Sequence, residues 1–232
     1  DQLLAKLMGP REPVRFIHHF SPDGRFLPVL YGDGLIRVWD LARREVTLGI
    51  RPEHQEVQGL EFSPDGRALV VVNSTRSIQL YELPSGTLLK SESPGVQWLR
   101  TRFRPDGKVL AIASEALTAA RLADIETGTM LGELPHPRVV HALSWSPNGE
   151  FLATGCSDGK VYLWHFVRHP NSDAPVKLEP AFVLAGHQSA VTEVDFHPNG
   201  QLIASLGWDG MIRLWDAASG EALVMLPARG TA

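Results

Sequence analysis

The chain has a single cysteine, Cys156, in 232 residues, so it cannot form an internal disulfide. Long apolar runs are also missing, and none approaches the roughly 18 residues that a membrane-spanning helix needs. The net charge is only -4, with no run of five like charges, which leaves no electrostatic argument for binding nucleic acid or an anionic membrane. The hydrophobic content of 44% is enough for a packed core.

Helical periodicity is a further absence, since apolar spacing at i, i+3 and i+4 never persists for ten residues. A short motif recurs instead, in which an aromatic residue is followed by any residue, Pro, Asp or Asn, and Gly. Its glycines are Gly24, Gly66, Gly107, Gly149 and Gly200. Repetition at about 40 to 45 residues is typical of propellers and solenoids, whose units pack only against their neighbours.

The fifth copy shows the local pattern of the repeat. Residues 190–196 alternate apolar and polar side chains, a His-Pro-Asn-Gly turn follows, and three more apolar-rich runs lie at 201–205, 211–215 and 221–226. Alternation with period two between short turns predicts antiparallel strands. Each repeat is therefore predicted to contain four strands.

A second mark lies 19 residues after the aromatic residue in four copies, and one position further in the third. The dipeptides are Trp39-Asp40, Tyr81-Glu82, Ala123-Asp124, Trp164-His165 and Trp215-Asp216. Two marks repeating in phase resemble the WD-repeat (WD40) family along essentially the whole chain. The resemblance implies an all-β fold, a β-propeller of four-stranded antiparallel blades. The predicted array covers 1–232, with repeats at roughly 9–50, 51–91, 92–133, 134–185 and 186–227.

Residues 1–8 resemble the fourth strands of the later repeats and are predicted to be an orphan outer strand of a further blade. WD-repeat rings typically have seven blades, so we expect this chain to be part of a larger ring. Further blades would come from the same polypeptide or from partner chains, because an open array exposes strand edges and apolar faces. A closed ring of five blades is the alternative.

Two repeats share four side chains at matching offsets. They are His187, Ser205, Asp209 and Trp215 in the fifth repeat and His136, Thr154, Asp158 and Trp164 in the fourth. Hydroxyl, imidazole and carboxylate are the parts of a nucleophilic triad, but two triads in adjacent repeats and the lack of a G-x-S-x-G motif argue against a hydrolase. The resemblance implies a buried hydrogen-bonded relay that clamps each blade. We therefore predict no catalytic residue, cofactor or metal.

The resemblance also implies a partner-binding rim, contributed by residues four and six positions before the aromatic anchor and by the residue before the turn Asp. The candidates are Trp208, His141, Gln97, Leu99, Glu56, Gln58, Thr192 and Phe16, with Arg15 as the alternative to Phe16. Trp208 stands out because Trp215 already fills the structural tryptophan position, and tryptophan is enriched at binding hot spots. The alternative is that Trp208 packs over the neighbouring blade.

These observations predict a cytoplasmic, non-catalytic scaffold whose rim binds an unidentified protein or peptide, with no nucleic-acid or membrane partner. The alternative is a regulatory or sensor propeller of a larger enzyme, such as a kinase, protease or NTPase, whose catalytic part lies outside this chain. A hydrolase or sugar-binding site in the channel would need converging carboxylates or a metal cluster, and the sequence indicates neither.

Overall fold

The computed structural model describes residues 11–17, 19–53, 57–73, 77–92, 99–114, 118–127, 129–166 and 180–228. Within those ranges the chain forms twenty β-strands and no helix. The strands make five four-stranded antiparallel sheets, each in chain order, which is the arrangement of a propeller blade. The predicted all-β fold class is therefore confirmed. The orphan strand predicted at 1–8 lies outside the described residues.

The five blades are defined by their strands. Blade one is β1 (Val14–Ile17), β2 (Phe26–Tyr31), β3 (Ile36–Asp40) and β4 (Glu45–Ile50). Blade two is β5 (Val57–Phe62), β6 (Ala68–Asn73), β7 (Ile78–Glu82) and β8 (Leu88–Glu92). Blade three is β9 (Leu99–Phe103), β10 (Val109–Ser114), β11 (Ala119–Asp124) and β12 (Met130–Pro135). Blade four is β13 (Val140–Trp145), β14 (Phe151–Cys156), β15 (Lys160–His165) and β16 (Pro180–Ala185). Blade five is β17 (Val191–Phe196), β18 (Leu202–Gly207), β19 (Met211–Asp216) and β20 (Ala222–Pro227).

The recurring Pro-Asp-Gly or Pro-Asn-Gly segment forms the turn between the first two strands of each blade. In blade one the hydroxyl of Ser21 donates to Asp23 and accepts the backbone N–H of Phe26 at 2.8 Å. The turn ends at Gly24 with φ of 69°, a left-handed conformation that glycine adopts without strain. The motif therefore predicts the turn because its own side chains and glycine build it.

The second mark of the repeat coincides with an irregularity between the third and fourth strands. The strand register shifts in every blade at this mark, at Trp39, Tyr81, Ala123, Trp164 and Trp215. A β-bulge leaves one residue unpaired and increases the local twist. The irregularity persists in blade three, where alanine replaces the aromatic residue.

The chain forms two compact units, Asp1–Gln97 and Trp98–Ala232, called unit one and unit two below. In unit one the facing sheets of blades one and two share a core that includes Leu30, Ile36, Leu60, Leu69 and Val71. Unit two has one apolar layer between blades three and four, which includes Leu122, Leu134, Leu143 and Leu152. A second layer joins blades four and five and includes Leu163, Leu184, Val191 and Ile203.

Candidate partner-binding site

The structure joins the four relay side chains of blade five. Trp215 Nε1 donates to Ser205 Oγ at 2.9 Å, and this oxygen lies 2.8 Å from His187 Nε2. His187 Nδ1 is 3.0 Å from both oxygens of Asp209. The carboxylate only accepts, so Nδ1 carries the proton and Nε2 accepts from the serine hydroxyl. The buried polar atoms of the set therefore satisfy one another.

Asp209 also fixes the turn that carries Trp208. Its carboxylate accepts the backbone N–H of Gln188 at 2.9 Å and that of Met211 at 3.1 Å. Burial opposes ionisation of Asp209, but these two donors and the imidazole together hold the pKa of its carboxyl below the usual range. Charge-assisted bonds of this kind are stronger than neutral ones, so the turn beside Trp208 is firmly held.

The relay of blade four ends at a different acceptor from that of blade five. Trp164 Nε1 donates to Thr154 Oγ1 at 3.0 Å, and Thr154 Oγ1 lies 2.7 Å from His136 Nε2. His136 Nδ1 then donates to the carbonyl oxygen of Leu134 at 2.8 Å. The structure thus corrects the prediction for Asp158, which does not take the place that Asp209 has in blade five.

The cause lies two positions before the structural tryptophan. Blade four has Tyr162 there, and its hydroxyl donates to the Asp158 carboxylate at 2.6 Å. Burial and this hydrogen bond raise the pKa of the Tyr162 phenol. Blade five has Arg213 at the matching position, and its turn carboxylate bonds to His187. Tyr162 is thus the residue that separates the relay of blade four from that of blade five.

In blades one and two, other side chains than those of the predicted relay hold the third strand. Trp39 Nε1 donates to the hydroxyl of Tyr31 at 3.0 Å, and this tyrosine stands two residues beyond the position aligned with the serine. In blade two the Tyr81 hydroxyl donates to Gln79 at 3.1 Å, and Gln79 Nε2 donates to Glu53 at 2.8 Å. These phenol and amide groups take the place of the serine or threonine hydroxyl, so the repeat pattern does not predict them.

The buried imidazole of blade four should make stability depend on pH. Burial lowers the pKa of His136 from 6.5 to about 4, against smaller opposing effects of the Leu134 carbonyl and the Asp158 carboxylate. A depressed histidine pKa means that the stabilisation is complete above pH 6.5 and is lost as the pH falls toward 4. The free energy of unfolding measured in urea should be about 2 kcal/mol lower at pH 5 than at pH 7.5 because of this group. His136→Gln should remove that difference, whereas the exposed-site change His197→Gln should retain it.

Trp208 and His141 are the predicted rim residues that the structure brings together. The indole is 70% exposed, and its ring centroid lies 5.6 Å from that of His141, with the ring planes at 42°. His141 Nε2 lies 2.7 Å from Ser157 Oγ. The backbone N–H of Trp208 donates to the Ala190 carbonyl at 2.9 Å. Trp208 thus contacts the neighbouring blade four through the imidazole of His141, and most of the indole surface stays exposed.

A register irregularity at a matching place marks the first strand of four blades. The residues at the shift are Arg15 in β1, Gln58 in β5, His141 in β13 and Thr192 in β17. Bulges often lie beside functional sites, where they re-aim a side chain. Arg15, and not Phe16, therefore occupies the position that aligns with His141. Phe16 pairs opposite Leu30 and is exposed in unit one.

The remaining predicted rim residues are described only in part. Gln97 and Glu56 lie outside the described residues. For Leu99 and Gln58 the structure describes the strand backbone and not the side chains. Thr192 is half-buried beside the turn of blade five. The geometric case for a rim therefore rests on unit two, on blades four and five.

Metal and thiol chemistry find little support in the described ranges. No group of three or more His, Cys, Asp or Glu side chains is placed there to hold a metal ion. Cys156 is buried, and burial raises the pKa of its thiol to about 11, so little reactive thiolate is present at neutral pH. The same ranges contain no helix of the length and hydropathy that a membrane span requires.

Comparison with known proteins gives a consistent result. The sequence model described as "WD domain, G-beta repeat" matches residues 1–40, 128–165 and 178–216, about half of the chain. Ribosome biogenesis protein BOP1 of Homo sapiens is 28% identical over 93% of this chain and 34% of its own length. Transducin beta-like protein 3 of Homo sapiens is 33% identical over 72% of this chain and 25% of its own length. Serine-threonine kinase receptor-associated protein of Gallus gallus is 24% identical over 87% of this chain and 55% of its own length. The chain therefore spans between a quarter and about half of the length of these curated relatives.

Proposed function

This chain belongs to the WD40 repeat family, and on that premise we propose that it is a non-catalytic scaffold that binds a protein or peptide through Trp208 and His141. A fold by itself does not determine a function, so the proposal rests on one observation at the site. Trp208 is 70% exposed and yet stands on a turn that the buried relay of blade five holds in place.

An exposed and pre-positioned indole is suited to binding. Its N–H has no hydrogen-bond partner in the described part of the chain, so a partner can supply an acceptor while the ring supplies apolar area. The contact with His141 limits the orientations of the ring before any partner arrives. A side chain that is already ordered loses less conformational entropy on binding.

The charges beside His141 favour a protein partner over a nucleic acid. A small depression next to this histidine is lined by Arg100, Arg102 and Glu193 among others. Both signs of charge are therefore present, whereas a nucleic-acid surface is dominated by lysine and arginine. The net charge of -4 points in the same direction.

The names of the relatives support a role in assemblies. One relative is named for ribosome biogenesis and another for association with a serine-threonine kinase receptor. We take from these names the class of function, a scaffold for other macromolecules, and no particular partner.

Removing the indole should weaken partner binding without unfolding the blade. Proteins retained by the immobilised chain are first identified, and one of them is purified and titrated by calorimetry. Trp208→Ala should weaken its affinity about thirtyfold, corresponding to about 2 kcal/mol for a hot-spot tryptophan. The melting temperature should stay unchanged, because the side chain is largely exposed.

The matched control is Met225→Ala, which removes another exposed apolar side chain, 55% accessible, from β20 of the same blade. This variant should bind the purified partner as tightly as the unaltered chain does. Equal affinity of the Trp208→Ala and unaltered chains would remove Trp208 from the binding site.

A further inference from the structure

Unit one contains an open cleft of about 370 Å³ between the sheets of blades one and two. The cleft has an apolar wall and one guanidinium, contributed by Phe26, Val38, Leu48, Leu83, Pro84 and Arg67. Its volume falls in the range of sites that bury small ligands or peptide side chains. None of these residues belongs to the rim proposed above.

Contacts within the two blades hold the cleft walls in place. Val38 is buried in the shared core, and Leu48 packs closely against Gly86, where an added Cβ would lie 2.8 Å from Leu48 Cδ1. On the opposite wall, the backbone N–H of Leu83 donates to the carbonyl of Arg67 at 2.7 Å. The cleft is therefore formed before a ligand arrives.

The first of two arginines beside the cleft is already occupied. Arg25 places its guanidinium 4.9 Å from the ring centroid of Phe26, which lines the cleft. The same guanidinium lies 2.6 Å from the buried carboxylate of Asp40. Arg25 therefore extends one wall, and its charge is neutralised by the fold.

The second arginine, Arg67, lines the cleft and is exposed, with an electrostatic attraction to Asp65 in the same turn. No ion pair engages its side chain among the residues that the structure describes. The carboxylate of the same turn, Asp65, accepts the Ser63 hydroxyl at 2.6 Å and the backbone N–H of Arg67 at 3.0 Å. The hydroxyl bond is the main reason that the pKa of Asp65 lies below its usual range. This carboxylate is thus directed into its own turn.

We propose that this cleft binds a short peptide segment in which a bulky apolar side chain stands next to an acidic one. The apolar side chain enters between the walls that contain Leu48 and Leu83, and the acidic side chain pairs with Arg67 at the edge. The planar guanidinium can donate to both carboxylate oxygens at once, which gives the apolar cleft its selectivity. Charge complementarity at Arg67 therefore determines the class of ligand.

The test compares two fluorescein-labelled peptides by fluorescence anisotropy on the whole chain. One is fluoresceinyl-Gly-Asp-Leu-Leu-Asp-Gly-amide, labelled at its N-terminus, and the other has lysine in place of both aspartates and the same N-terminal label. The acidic peptide should bind at least tenfold more tightly. Arg67→Glu should reverse this preference, since the exposed charge at the cleft changes sign. Arg11→Glu, an equal change at an exposed site of unit one outside the cleft, should leave the preference as it was.

A second variant tests the apolar part of the site. Thr47 lines the cleft and is exposed, so Thr47→Phe should fill the space and weaken binding of both peptides at least tenfold. If Arg67→Glu does not fold, Arg67→Gln should abolish the preference without reversing it. Equal binding of the two peptides, or a preference that ignores Arg67, would overturn the proposal. A dimer in light scattering that Thr47→Phe abolishes would also overturn it, because the occupant would then be a second copy.

Discussion

Replacing Thr154 with valine is expected to lower the free energy of unfolding by about 3 kcal/mol, although the two side chains have nearly the same shape. Thr154 is fully buried, and its hydroxyl oxygen is the common partner of Trp164 Nε1 and His136 Nε2. Valine leaves both nitrogens buried without that partner. Each unsatisfied buried polar group costs about 1–3 kcal/mol, and no cavity arises because the branched volume is kept.

Urea unfolding monitored by tryptophan fluorescence measures this loss. Repeat arrays can unfold in steps, so hydrogen exchange of the amides in β13 to β16 should be measured as well. These amides should exchange faster in the variant, because the loss of stability lies in blade four. The control is Thr192→Val, which removes a half-buried hydroxyl with a single bond of 3.2 Å to the Leu206 carbonyl. That change should cost less than about 1 kcal/mol. Similar losses at the two positions would mean that the relay does not stabilise blade four.

The strands and turns could be predicted from the sequence because each has a local cause. The Ser21, Asp23 and Gly24 turn closes through contacts between residues at most five positions apart, and the same chemistry recurs in Ser63 with Asp65. Short-range signals of this kind need no knowledge of the rest of the chain. The period of the repeat then fixes how many blades the chain contains.

The ends of the relays could not be predicted in the same way. Asp158 can pair with a histidine that is 22 positions away or with Tyr162 four positions away, and only the packed blade decides between them. The two possible hydrogen bonds of Asp158 are of similar strength, so its matching position in the repeat does not determine which of them forms. The same holds for Trp39, where a tyrosine hydroxyl supplies the acceptor from another place on the strand.

The rim illustrates a mixture of the two cases. A surplus tryptophan at 208 was visible in the sequence because position 215 already held the structural one. Its neighbour across the blades could not be seen, since the contact with His141 depends on the register shift in β13. A bulge changes which side chain faces a neighbour without leaving a clear mark in composition. For this reason the contact between exposed Trp208 and half-buried His141 is visible only in the structure.

The largest backbone effect is expected at the turn of blade four, where Gly159→Ala should cost about 4 kcal/mol, the sum of left-handed strain and of overpacking. Gly159 has φ of 83°, and an added Cβ would lie 2.6 Å from the carbonyl oxygen of His187. Gly210 is its counterpart in blade five, with φ of 75° and nothing within 4 Å of the added carbon. Gly210→Ala should therefore cost only the left-handed strain of about 1–2 kcal/mol.

The difference between these two variants isolates the contact with His187, because both turns carry the same kind of backbone strain. The clashing partner of Gly159 is a backbone oxygen and not the end of a flexible side chain, so one of the two segments must shift. That segment leads into the relay of blade five, through the backbone N–H of Gln188 and its bond to Asp209. Gly159→Ala should accordingly speed hydrogen exchange at Gln188 as well as in its own blade. For Gly210→Ala, the loss in the free energy of unfolding should not exceed the cost of the left-handed strain. Equal losses in the free energy of unfolding for the two variants, measured in urea, would show that the turn of blade four does not make a tight contact with this segment. The relay of blade five would then be held independently of its neighbour.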